Sequence, residues 1–435
     1  MARAHGGAAM IRRGLVLLML LVCCRAPAAT TAQTPTSTPS AAAWAFDTPR
    51  TLGRDSGVIR GLAVALDDHG YAHTSYLRAS EFMAEASHSA LIVQGVTQAG
   101  DRYERRLWQG EPSAGPTAIT ARSGRIIVAA TLAGTVRLWE SRDNGVTWND
   151  MAIPVAASVA QLAILSDGRA VLVLLTRTGM QFHLTIATET SAGSGTWQQA
   201  NPLSTSPSAV LAVWQRDDVR TDQTGLPLLV VAQGKAGGIQ LAITQNGTRW
   251  QPQTIASATP HALALSAVGD RMVVVHEQYG VRVLWLASST VHEDWQVTRL
   301  ATPSSVIVEA NPLLHDPQTD MVLLLTTCRF PDRPFGSYRA QLCLSRVRVD
   351  ELHQASAWER QWAEPWTPIA MAQPHTAQAG AVVVTHGMQA HVAWVGQFIP
   401  SDFLHINATQ AGFVTTSEAM ATTVRIPALA RLDGS

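Results

Sequence analysis

The stretch Ser141-Arg-Asp-Asn-Gly-Val-Thr-Trp148 decides the reading of this chain. Its key residues stand at the spacing Ser-x-Asp-x-Gly-x-Thr-Trp. Asp143 is placed to accept hydrogen bonds from backbone N–H groups of its own turn. Gly145 supplies a positive φ that a residue with a Cβ resists. Trp148 then opens a strand and buries a large ring. All of these roles are structural. The motif describes a turn between two strands and brings no catalytic group with it.

Outward from this turn the chain repeats itself. A short turn followed by a β-rich run recurs at His69-Gly70, Ser123-Gly124, Asp167-Gly168, Thr224-Gly225, Gly269-Asp270, Thr319-Asp320 and His386-Gly387. The runs that follow, such as RIIVAATL, RAVLVLLT and MVLLLTTC, are apolar or alternating over a strand length. Another candidate strand precedes each turn, and most runs lead to a third, as in TVRLWES at 135–141. A tryptophan then follows: Trp108, Trp148, Trp197, Trp250, Trp295, and one of Trp358, Trp362 or Trp366. Trp44 reads as a further copy displaced to the N-terminus. The unit is four short antiparallel strands in about 40–70 residues, which is the signature of a propeller blade. The expected fold is all-β, a seven-bladed β-propeller of four-stranded antiparallel blades, with six blades as the alternative. The strand around Trp44 is expected to complete the last blade, with Thr422–Leu429 as the competing closure.

The motif and its repeats resemble the sialidase-like β-propellers, whose Asp-box (BNR repeat) has this spacing. The full match is Ser141, Asp143, Gly145 and Trp148; Ile243 to Trp250 keeps only the glycine and tryptophan. Seven units are also similar to the seven-bladed propellers of the photosystem II assembly factor type. The resemblance implies that Asp-boxes join third to fourth strands on the face away from any ligand. Sialidases of this superfamily have six blades and hold a substrate carboxylate with three arginines, beside a Tyr–Glu pair and an Asp. Arg425-Ile426-Pro427 matches an arginine motif of that family but lies at the wrong end of the chain. None of Tyr71, Tyr76, Tyr103, Tyr279 and Tyr338 stands in a nucleophile context.

Composition narrows the function. Charged residues are 15% of the chain and the net charge is zero, so there is no electrostatic footprint for nucleic acid. Lys235 is the only lysine. Residues 1–32 read as a signal peptide: Arg12-Arg13 precede the apolar run Gly14–Val22, and Ala26-Pro27-Ala28 offers a cleavage site. Residues 33–43, rich in Thr, Pro, Ser and Ala, read as a tether. Residues 44–435 form the single propeller domain. Arg12-Arg13 is loosely similar to a twin-arginine signal, and Leu20-Leu21-Val22-Cys23 to a lipobox. The address is extracytoplasmic, secreted or at the cell surface, with a lipid anchor the only membrane attachment considered.

Two cysteines, Cys328 and Cys343, follow the signal, and in an exported chain they are expected to pair. They flank a stretch read as a long loop between second and third strands, carrying Arg329, Phe330, Arg333, Phe335, Tyr338 and Arg339. Arginine and aromatic residues are over-represented in binding hot spots. The corresponding connection of the last unit brings Gln397, Phe398 and Phe403. These residues are the ligand-binding candidates, for a protein or a glycan of anionic character. Asp67-Asp68-His69 and His315-Asp316 fall at turns, where Asp serves the backbone, and no zinc spacing exists. No metal site, cofactor or catalytic set is assigned. The expected function is that of an exported, non-catalytic binding or scaffold propeller. The alternative is a sialidase-type glycoside hydrolase.

Overall fold

In the computed structural model the described residues are 45–46, 50–55, 58–79, 88–97, 100–111, 115–165, 167–179, 181–199, 202–205, 210–215, 229–235, 238–244, 249–256, 260–268, 271–278, 284–290, 295–300, 305–307, 313–316, 320–331, 338–363, 382–384, 389–398 and 416–425. The chain is all-β, built of antiparallel sheets with a blade-like meander. One sheet runs Val58–Leu66, Ala72–Ala79, Ser89–Val96 and Arg102–Gly110. The next runs Thr117–Arg122, Arg125–Leu132, Thr135–Ser141 and Asn149–Val155. A third runs Ser158–Ile164, Ala170–Thr178 and Gln181–Glu189, with Trp197–Gln199 and Leu203–Thr205 both on its outer edge. Val210–Gln215, Leu229–Lys235, Gly238–Thr244 and Gln251–Ala256 follow. Then come Pro260–Val268, Arg271–Gln278, Leu284–Thr290 and Gln296–Arg299. The 305–363 sheet has Ser305–Ile307 and Leu313–Asp316 on one edge, then Met321–Pro331, Tyr338–Arg348 and Glu359–Ala363.

The last sheet combines early and late strands of the chain. Val382–Val384, Gln389–Phe398 and Thr416–Arg425 supply three strands. Its outer strand comes from the N-terminus: Ala45 pairs with Arg425 and Phe46 with Val424, and Arg50–Asp55 runs along Ala421–Ser417. The two closures weighed from sequence therefore share this sheet, since Thr416–Arg425 is its third strand. Trp44 and residues 426–429 lie outside the described residues.

First strands are neighbours from sheet to sheet. Val58–Leu66 lies beside Thr117–Arg122, and Ser158–Ile164, Val210–Gln215, Pro260–Val268, Leu313–Asp316 and Val382–Val384 follow in turn. Val382–Val384 lies beside Val58–Leu66 again. The core fills the gaps between successive sheets. Ile127, Leu138, Leu162, Leu172 and Leu174 form one such layer, and Val273, Leu286, Val322 and Leu324 another. Valine and isoleucine suit these positions because a branched Cβ packs well on a pleated surface.

Five of the tryptophans stand where the repeat put them, whereas Trp108 lies late in the fourth strand Arg102–Gly110 rather than ahead of it. Trp148, Trp250, Trp295 and Trp358 immediately precede a fourth strand, and Trp197 begins one. Each packs on the apolar layer shared with the preceding sheet. Trp358 is thus the sixth copy, and Trp362 lies inside the strand Glu359–Ala363.

Candidate functional site

In a four-stranded meander the second-to-third connections emerge at one end, and the first-to-second and third-to-fourth connections at the other. The ligand candidates belong to the first of these ends. The expected loop Cys328–Cys343 is largely strand. Met321–Pro331 and Tyr338–Arg348, each 11 residues long, stay paired until Pro331 faces Tyr338. Phe330 stands opposite Arg339 and Arg329 opposite Ala340. The reading of these four positions as loop is corrected: Arg, Phe and Tyr are compatible with strands, and continued pairing satisfies their backbone groups. The connection is residues 332–337, so Arg333 and Phe335 lie outside the described residues, as do the side chains of the four paired candidates. Phe398 likewise ends a strand, opposite Thr416, and Phe403 is outside the described residues.

The cysteines sit on this hairpin in a diagonal relation. Cys328 faces Gln341 and Cys343 faces Thr326. Diagonal neighbours are typically about 7–8 Å apart at Cα, at or beyond the usual span of a disulfide. A bridge here would draw the strands together by a local distortion. The cysteine side chains are outside the described residues.

The opposite end carries the best-defined polar chemistry. In the turn 141–148 the Ser141 hydroxyl donates to Asp143 Oδ1 at 2.8 Å and accepts from the Gly145 N–H at 2.7 Å. Thr147 donates its N–H to Asp143 Oδ1 at 2.8 Å and its hydroxyl to Oδ2 at 2.6 Å. Desolvation raises the Asp143 pKa, but these bonds outweigh it and hold the carboxyl below its ordinary value. Trp148 Nε1 donates to the Gly145 carbonyl at 3.1 Å. Asp143 is spent on its own turn, as read from the sequence. Gly145 has φ +89°, and a Cβ there would collide with the Tyr103 ring of the neighbouring sheet. Gly145→Ala is expected to cost about 3 kcal/mol, from left-handed strain plus overpacking. Asp143→Ala, on an exposed turn, is expected to cost about 0.5–1 kcal/mol. Urea unfolding of the two variants checks this order.

Asp67 works in the same way. Its Oδ1 accepts the His69 and Tyr71 N–H groups at 2.9 Å each. Its Oδ2 lies 3.7 Å from His73 Nε2, and His73 Nδ1 meets the Tyr103 hydroxyl at 2.9 Å. Burial raises the Asp67 pKa, yet His73 and the two N–H groups bring it below normal. Burial, then the Asp67 charge, pushes Tyr103 well up. Tyr103 and Tyr76 are both buried, so neither is presented as a nucleophile. Asp68 Oδ2 takes the Ser123 N–H and hydroxyl at 2.8 Å each, tying one sheet's turn to the next. His315 pairs with Asp320 at 3.5 Å. Among the described residues no group of three or more His, Cys, Asp or Glu is gathered to hold a metal ion.

Two clusters were not read from the sequence. Arg125 forms a forked pair with Glu189 of the adjacent sheet, at 2.8 and 2.9 Å, and reaches Glu140 at 2.5 Å and the Gly168 carbonyl at 2.5 Å. Glu189 also accepts the Ala170 N–H at 2.8 Å. Burial opposes the charge on Arg125, but the carboxylates outweigh it and raise its pKa. The signal was present: Glu140 and Glu189 both stand eight residues before the repeat's tryptophan, and arginine recurs after the first turn at Arg125, Arg169 and Arg271. The second cluster places His353 between Ser288 and Thr298.

No protein-family model and no curated protein matches the chain. Solved structures do. One described as "YCF48 bound to D1 peptide" is 12% identical, with 90% of this chain and 100% of that chain covered and a TM-score of 0.50. The polysaccharide lyase Uly1 is 8% identical, with 84% and 90% covered and the same TM-score. At these identities the likeness is one of fold: this chain has a propeller-like β architecture.

Proposed function

We propose that the chain is an exported seven-bladed propeller, closed through its N-terminal strand, that binds a protein or glycan at the end bearing the second-to-third connections. On this reading residues 1–32 are removed on export, 33–43 tether the domain, and 44–435 form one ring outside the cytoplasm. The observation that carries it is the paired hairpin Met321–Arg348, on whose far strand ends Arg329, Phe330, Tyr338 and Arg339 lie. Phe398 ends the second strand of the adjoining sheet, and Phe403 follows it in sequence. Arginines there suit carboxylate or sulfate, and aromatic rings suit a sugar face or an apolar side chain. The fold likeness to a peptide-bound protein supports partner recognition by this architecture.

A second reading has its own support. The resemblance to sialidases supports a sialidase-type glycoside hydrolase, and an equal fold likeness to a polysaccharide lyase supports glycan cleavage on this architecture. It requires three arginines, a Tyr–Glu pair and an Asp around one pocket.

One experiment separates the two. The protein from residue 33 onward is applied to an array of carboxylated and sulfated glycans and of peptides, and in parallel to fluorogenic sialosides and uronate polysaccharides. Saturable binding without product, lost at least tenfold when Arg333 and Tyr338 are both replaced by Ala, supports the binding reading. Robust turnover, abolished by the same pair, establishes the enzyme instead.

A further inference from the structure

The packing between the 260–299 sheet and the 305–363 sheet contains an imidazole in an unusual position. His353 belongs to the irregular segment Val349–Trp358, which joins third and fourth strands of the 305–363 sheet. Leu352, beside it, is buried in the apolar layer with Val273, Val275 and Leu286 of the neighbouring sheet. The His353 ring then crosses to that sheet. Its Nε2 meets the Ser288 hydroxyl at 2.6 Å and its Nδ1 meets the Thr298 hydroxyl at 2.8 Å. Ser288 stands seven residues before Trp295, the place Ser141 holds before Trp148. A histidine of the next sheet thus meets the serine at this place.

A neutral imidazole has one donor and one acceptor nitrogen. In either tautomer one hydroxyl donates to the ring and the other accepts from it. Protonation makes both nitrogens donors. The donating hydroxyl must then turn its hydrogen away and find another acceptor, and Ser288 is buried. Arg271, at the start of the second strand of the 260–299 sheet, is the charged group that acts on the ring and adds repulsion. Glu351 lies in the same irregular segment. His276, opposite Leu263 in register, shares the face of Met272 and Val274 that packs on the 210–256 sheet, so it lies away from this seam, whereas Glu277 stands on the seam face.

We propose that His353 makes this seam an acid-sensitive latch, in which its proton uptake frees the segment Val349–Trp358 from the 260–299 sheet. Burial and Arg271 hold the His353 pKa below its ordinary value, so the ring binds more protons when the seam opens. The seam's stability is therefore full above the ordinary histidine value of 6.5 and is lost as pH falls through the lowered one.

Hydrogen exchange of the full secreted chain at about pH 7.5 and about pH 5, corrected for intrinsic rates, tests this. Exchange in 284–290 and 349–358 is expected to rise severalfold at the lower pH, with Arg125–Leu132 as an internal reference that does not follow. His353→Gln, which keeps an amide donor and acceptor but does not titrate, should remove the response. Equal acid responses in wild type and His353→Gln, or an unchanged seam at about pH 5, overturn the proposal. If a variant fails to fold, the ring titration of His353 in the wild-type protein by NMR decides: a midpoint below 6.5 supports the latch, and one at or above it refutes it.

Discussion

Deletion of residues 33–56 is expected to leave a chain that does not fold cooperatively. The third strand of the last sheet, Thr416–Arg425, would keep Gln389–Phe398 on one side and lose its partner on the other. That partner is Ala45–Phe46 and Arg50–Asp55, which together face seven positions of the strand. At about 0.5–1.5 kcal/mol net per hydrogen-bonded contact, the loss is on the order of 5 kcal/mol before any side chain is counted. A domain has about 5–15 kcal/mol in all. The bared strand would also be an open edge, a template for association with other chains. Thermal melting by circular dichroism and size exclusion of the truncated protein check this. A truncation that ends at Ala43, before the first paired residue, should melt like the intact secreted chain. A cooperative, monomeric product from the longer deletion would show that the last sheet stands without its N-terminal strand.

The second large effect belongs to the ion network between the 117–155 and 158–205 sheets. Glu189→Ala should destabilise the protein by about 3 kcal/mol. Its carboxylate is fully buried and Arg125 nearly so. Removing one partner of a buried pair leaves the other's charge uncompensated, at about 3–5 kcal/mol. The lower value applies because Arg125 retains Glu140. Replacing both members by apolar residues, Arg125→Met with Glu189→Leu, should recover most of the loss, since no buried charge is then orphaned. Urea midpoints of the single and double variants measure the difference. The pH dependence carries the same sign. Burial raises the Glu189 pKa, but Arg125 and the Ala170 N–H lower it further, leaving it below the ordinary 4.5. Its stabilising contribution is complete above that value and is lost as pH falls through the lowered one. The Glu189→Ala variant should therefore show a shallower acid limb than the wild type.

The sequence carried the architecture because the repeat is enforced locally. A tight turn needs Gly, Asn or Asp, a strand needs β-branched residues, and the tryptophan before the fourth strand needs a layer to lie on. Each requirement leaves a residue at a fixed distance from the others, as Ser141, Asp143, Gly145 and Trp148 do. The same locality made Trp44 readable as a displaced copy. The strand that follows it, Ala45–Phe46, does pair in the last sheet.

Strand ends on the candidate hairpin were not readable in this way. Arg329, Phe330, Tyr338 and Arg339 suit either a loop or a strand, and the pairing of Phe330 with Arg339 decides between them. Nor could the sequence say which charges meet. Arg125 and Glu189 are 64 residues apart and are joined only because two sheets lie side by side. His353 reaches Ser288 across 65 residues for the same reason. The sequence alone determined an all-β chain of repeated four-strand units with a structural Asp-box, since those are matters of short-range spacing. Only the tertiary structure decided the partners across each seam, the register of the N-terminal strands in the last sheet and the length of the long hairpin. Those depend on which surfaces the packing brings together, and no local pattern encodes that.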